Sequence, residues 1–178
     1  MRLLVPVSPA LMLGSCVTPP AAPPPAPPAA VRPAPPPPPP PSAPLAAQWE
    51  DWPFTPGDWR YSRAGADTIA LFAAPDGATL LTIGCNATTR RVMIARTGGI
   101  AGGSGQMTLR TSFGTLRWPA QASPGAPPMI AVARGQGDAG LDQIAYTRGR
   151  FTVEIAGLPT LVLRAWAEPQ RVIEDCRG

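Results

Sequence analysis

Two residue types that run much of enzyme chemistry are missing from this 178-residue chain: it has no histidine, and its 15 basic side chains are all arginine. Ser–His and Cys–His nucleophile pairs are therefore excluded, as are histidine metal sites, Ser–Lys dyads and lysine Schiff bases. Eleven carboxylates remain, and two acids at a set distance suffice for glycoside hydrolysis. The acid pairs weighed for this are Asp138 with Asp142, and Glu174 with Asp175. Asp138 stands where a helix needs a cap, and adjacent acids on a helix point in different directions. The expectation is therefore no catalytic residue, no metal ligand and no cofactor. The run GGIAGGSG (98–105) has amides able to cradle an anion. It lacks a Gly-Lys-Ser/Thr ending and sits between strands, so it reads as a hairpin loop. In WEDWPF (49–54), Trp49, Trp52 and Phe54 are the candidate partner-binding residues. Either these rings dock on the domain and close its core, or they form an exposed aromatic patch that anchors a partner. Arg90, Arg91 and Arg96 are expected to decorate the outer face of their strand.

The cysteines carry a different kind of chemistry. Arg2 precedes a mostly apolar run over residues 3–13, interrupted by Pro6 and Pro9. This run falls short of the about 20 residues that span a bilayer and suits an export signal. It ends in Leu13-Gly14-Ser15-Cys16, which resembles the lipobox of bacterial lipoprotein signal peptides. The resemblance implies removal of residues 1–15, acylation of Cys16 and a membrane hold through its acyl chains. Val17, in place of the Asp that retains such proteins at the inner membrane, implies an outer-membrane location facing the periplasm. The competing reading is an ordinary secretory signal with an incidental cysteine. Exported chains tend to pair their thiols, and three cysteines leave one over. With Cys16 acylated, Cys85 and Cys176 are the internal disulfide pair; two buried free thiols are the alternative.

Residues 17–47 hold 16 of the 27 prolines, including an unbroken run from Pro35 to Pro41. Such a stretch has few amide donors and no core to build, so extended polyproline II is expected. At about 3.1 Å per residue it would reach roughly 80–90 Å. It reads as a disordered spacer over 16–47, or else as a ligand for a proline-binding module. The remaining 48–178 suit one domain. From residue 48 onward 13 arginines face 11 acids. That balance, with no basic stripe interleaved with aromatics, argues against a nucleic-acid partner.

Period-2 alternation recurs along the domain. DWRYS (58–62), TIALFA (68–73), TLLTIGC (79–85), RRVMIAR (90–96), QMTLRT (106–111), TLRW (115–118), MIAVA (129–133), RFTVEIAG (150–157) and TLVLR (160–164) are the strand candidates. Ile69, Leu71 and Ala73 share one face, and so do Leu81, Ile83 and Cys85; Phe151, Val153 and Ile155 lie opposite Thr152, Glu154 and Ala156. APDGA and Gly157-Leu158-Pro159 read as turns. Asp138 caps a short helix near 139–147, and Pro169 suits the first turn of a C-terminal helix near 169–176. Val172, Ile173 and Cys176 form its apolar stripe, which would pin this helix to the Cys85 strand. The fold class is mainly β: an antiparallel sandwich or barrel of about eight or nine short strands.

In layout the domain is similar to two exported groups: invasion-associated locus B-like proteins and small uncharacterised proteobacterial envelope lipoproteins. The likeness lies in the Trp-bearing first strand, LLTIGC, the Arg-flanked RRVMIAR and the late cysteine of VIEDCRG. It implies a β-sandwich with a binding role. The functional expectation is a non-catalytic binding or structural module of the periplasm, holding an envelope protein or a cell-wall component. Inhibition of an envelope-attacking hydrolase fits the same layout. The alternative class is a small carboxylate-dependent hydrolase acting on an envelope polymer.

Overall fold

The computed structural model describes residues 47–178. The signal-peptide expectation for 1–15, the acylated Cys16 and the proline-rich linker up to residue 46 lie outside the described residues. Nine antiparallel strands form one sheet among the described residues: β1 (Asp58–Ala64), β2 (Asp67–Ala73), β3 (Thr79–Asn86), β4 (Arg91–Thr97), β5 (Ser104–Thr111), β6 (Gly114–Ser123), β7 (Met129–Gly135), β8 (Arg150–Ile155) and β9 (Leu161–Arg164). Their order is β1-β2-β3-β4-β7-β6-β5-β8-β9. Two helices accompany them, α1 (Ala139–Ala145) between β7 and β8, and α2 (Ala167–Arg177) after β9. The expected mainly-β antiparallel fold is present as one continuous sheet that does not close into a barrel.

Alternation explains the core. Ala70 and Phe72 of β2, Leu81, Ile83 and Cys85 of β3, and Val92 and Ile94 of β4 are buried on one face. Met107 and Leu109 of β5, Phe151, Val153 and Ile155 of β8, and Leu161 and Leu163 of β9 meet them. Each such side chain contributes about 1.5–3 kcal/mol on leaving water. The curled sheet brings its two edges together without a ladder. Trp59 Nε1 donates to the carbonyl of Arg164 at 3.2 Å, and the Trp59 ring packs edge-on against Phe72 and stacks on Phe151. On β2 the inward residues are Thr68, Ala70 and Phe72, so Ile69 and Leu71 turn outward.

The turns obey local chemistry. Asp76 Oδ1 accepts from the Ala78 amide at 2.9 Å within APDGA, and Asp138 Oδ1 accepts from Gly140 N at 2.8 Å at the head of α1. Gly140 lets α1 lie against β6, because a Cβ there would meet Trp118 Cζ2 at 2.5 Å. α2 buries Pro169, Val172, Ile173 and Cys176, and Cys176 is bonded to Cys85 with Cα atoms 5.4 Å apart. One expectation is corrected: GGIAGGSG does not close a hairpin. It joins β4 to β5, which are not neighbours in the sheet, since β4 pairs with β7 while β5 pairs with β6 and β8.

Candidate functional site

Outward side chains of β2, β3, β4 and β7 build a concavity. The register aligns Ile69, Gly84, Met93 and Ala133 in one row across four strands. Gly84 presents no side chain, so the row has a gap between two long apolar residues. A groove of about 540 Å³ opens there, lined also by Thr82 and Ala64. That volume lies within the range of ligand-binding clefts. Polar groups gather at its turn end: Asp67, which accepts from the Ala87 amide at 2.8 Å, Asn86, and Arg91, which donates to the Ala133 carbonyl at 3.1 Å. Met93 is 48% exposed on the rim. It also borders a neighbouring groove of about 500 Å³ that runs over β7 toward Pro119 and Gln121 of β6. Sequence reasoning missed this row; the signal was the lone glycine inside the β3 pattern, which marks a close approach or a gap.

The aromatic residues singled out from sequence are placed elsewhere. Trp49, Trp52 and Phe54 are each half-buried. Trp49 opens a 3₁₀ turn (Trp49–Asp51), and the chain then crosses the outer face of β8 and β9. The Trp52 carbonyl accepts from Arg150 Nη1 at 2.6 Å, and Thr55 exchanges hydrogen bonds of 2.9 Å with Val162. Both Arg150 and Arg164 guanidiniums lie 4.1 Å from the Phe54 ring centroid, and Arg110 lies 5.9 Å from that of Trp52. Beneath this strap Thr152 and Val162, outward by alternation, are buried.

Five of the carboxylates are engaged in structural contacts. Glu154 accepts from Arg110 Nε at 2.7 Å and from Thr152 Oγ1 at 2.9 Å. That bond to Glu154 lifts the Arg110 guanidinium above its ordinary value. Asp138 pairs with Arg134, and Asp142 with Arg177 at 2.6 Å, which raises Arg177 in the same way. Asp175 accepts from the Tyr61 hydroxyl at 2.6 Å and pairs with Arg63 at 3.2 Å, while Glu174 accepts from Gln170 at 2.8 Å. Among the described residues no group of three or more Cys, Asp or Glu side chains converges as a metal site would.

Of the three arginines expected outside, Arg91 lies on the outer face and Arg90 sits at the turn, donating to the Arg177 carbonyl at 2.8 Å. Arg96 is corrected: it shares the parity of Val92 and Ile94, points inward and is 6% exposed. Its guanidinium donates to the carbonyls of Leu80, Thr97 and Pro159, and burial lowers its pKa. The chain matches none of the protein-family models, curated proteins or solved structures with which it was compared.

Proposed function

We propose that this chain is a lipid-anchored module of the bacterial cell envelope, held through Cys16 and facing the periplasm, whose β domain binds without catalysis. The observation that carries the binding reading is the apolar groove over Gly84, with Ile69 and Met93 as its walls. Its occupant is an apolar segment of an envelope protein. A cell-wall polymer of sugars needs many hydrogen-bond partners, and the groove offers few, with charged groups only at the Arg91 end. Met93 suits a protein contact because its flexible, polarizable side chain repacks around varied partners. The Cys85–Cys176 bond supports an oxidising compartment. The hydrolase alternative is disfavoured because Asp138, Asp142, Glu154 and Asp175 are each held by an arginine.

Filling the gap tests the reading. A Cβ at residue 84 meets only ordinary contacts, 3.6 Å to the Thr68 carbonyl and 3.7 Å to Ile69 Cγ1. Gly84→Leu should therefore fold with a nearly unchanged melting temperature while occupying the groove. A photo-crosslinker at residue 93 should capture an envelope protein in cells, and Gly84→Leu should abolish that product. A product that survives Gly84→Leu, or that forms equally well from residue 117, overturns the groove as the binding site.

A further inference from the structure

Among the described residues four large apolar side chains are exposed, and three of them gather at one end of the sheet: Phe113 (56%), Tyr146 (48%) and Trp166 (43%). They sit on separate connections, β5–β6, α1–β8 and β9–α2. Hydrogen bonds tie these connections together. Ser112 N donates to Thr147 Oγ1 at 3.0 Å, Arg148 N donates to Ser112 Oγ at 3.0 Å, and Ala165 N donates to the Gly149 carbonyl at 3.1 Å. The same end carries Arg148, Arg150 and Arg164, and residues 111–114, 146–150 and 164–167 contain no acid. None of these three arginines reaches a carboxylate in an ion pair among the described residues. The flanking acids are committed elsewhere or enclosed: Asp142 to Arg177, Glu154 to Arg110, and Glu168 with one oxygen buried. The strap above carries two exposed acids, Glu50 and Asp51.

Arg150 and Arg164 face each other directly in the β8–β9 ladder, an arrangement of like charges that destabilises a sheet. The Phe54 ring touches both guanidiniums but supplies no counter-charge. The crevice beside Arg164 and Trp166 measures only about 10 Å³, so it admits neither a ring nor an acyl chain. What remains is a shallow rim of aromatic rings on loop tips, interleaved with cations that reach no carboxylate. We propose that this end docks against an anionic membrane surface. Tyr146 and Trp166 sit at headgroup depth, where aromatic rings with an apolar body and a polar edge are favoured, and Phe113 adds apolar area beside them. Arg148 and Arg164, both exposed, meet the lipid phosphates. No described helix is long and apolar enough to cross a membrane, so the contact is peripheral. It depends on neither the groove nor an acyl anchor.

The test uses a chain beginning at Val17. It keeps the described core and both disulfide cysteines and lacks the apolar run and Cys16, so retention cannot come from an anchor. Co-sedimentation is measured with phosphatidylcholine vesicles and with phosphatidylcholine–phosphatidylglycerol vesicles. The chain should partition onto the anionic vesicles only, less so as salt rises. Arg148→Ala with Arg164→Ala should lower that partitioning roughly thirtyfold, and Phe113→Ala with Trp166→Ala should lower it independently. These side chains are exposed, so circular dichroism of each variant should match the parent. Absence of retention overturns the proposal, as does equal retention on both vesicle types or full retention of the variants. Release by inorganic phosphate at constant ionic strength also overturns it, by making the site one for a free anion.

Discussion

Arg96 carries a positive charge into the core with backbone carbonyls as its partners. Leu80 O accepts at 3.2 Å, Thr97 O at 2.6 Å and Pro159 O at 3.4 Å, while Nε has no partner. The planar guanidinium fork thereby links β3, β4 and the β8–β9 turn, which a compact ammonium would not do. Replacing it with methionine fills most of the volume but strands these acceptors. Arg96→Met should destabilise the domain by about 2 kcal/mol, measured by urea denaturation. Arg96→Lys should cost at least as much, and added salt should leave both losses unchanged because no ion pair is broken. A loss near zero in both would mean that the carbonyls find water instead. The strand parity of Val92, Ile94 and Arg96 was legible in the sequence. Its outcome was not, because two of the three acceptors come from residues 16 and 63 positions away.

At the scale of elements, α2 is held to the sheet by its apolar stripe and by the Cys85–Cys176 bond. Closing a loop of 91 residues restrains the unfolded chain by about 4 kcal/mol on loop-closure entropy. Cys85→Ala with Cys176→Ala should lower stability by an amount of that order, read as a shift in the denaturation midpoint. Amides of α2 should then exchange faster than those of β3. A double variant as stable as the parent would show that packing of Val172 and Ile173 alone holds the helix. Both helices and their registers were readable beforehand, from Asp138 as a cap and from the spacing of Val172, Ile173 and Cys176. The strap was not: burial of Thr152 and Val162 beneath residues 52–55 comes from bonds spanning about a hundred residues, such as Thr55 with Val162.

At the scale of the whole molecule, every described core residue lies between Trp59 and Cys176, and the proposed anchor at Cys16 lies outside them. Cys16→Ser should move the protein from membranes washed at high salt into the soluble fraction and leave the domain's melting temperature unchanged. Retention after the high-salt wash would refute acylation at Cys16. Retention that the wash abolishes belongs to the peripheral face of Arg148 and Arg164, whose attraction to lipid is screened by salt.

Local chemistry is written along the chain, and there the sequence by itself determined the outcome. Alternation specified strands, Asp138 specified a helix start, APDGA specified a turn, and two cysteines on apolar faces were readable as a pair. Only the tertiary structure decided which strands became neighbours, because pairing β4 with β7 and β5 with β8 joins segments far apart in sequence. The groove over Gly84 needs the β2–β3 and β3–β4 registers: a missing side chain becomes a gap only when Ile69 and Met93 are brought to either side of it. The aromatic and arginine rim follows likewise, since Phe113, Tyr146 and Trp166 are scattered in the chain. They meet because three connections end at the same edge of one curled sheet.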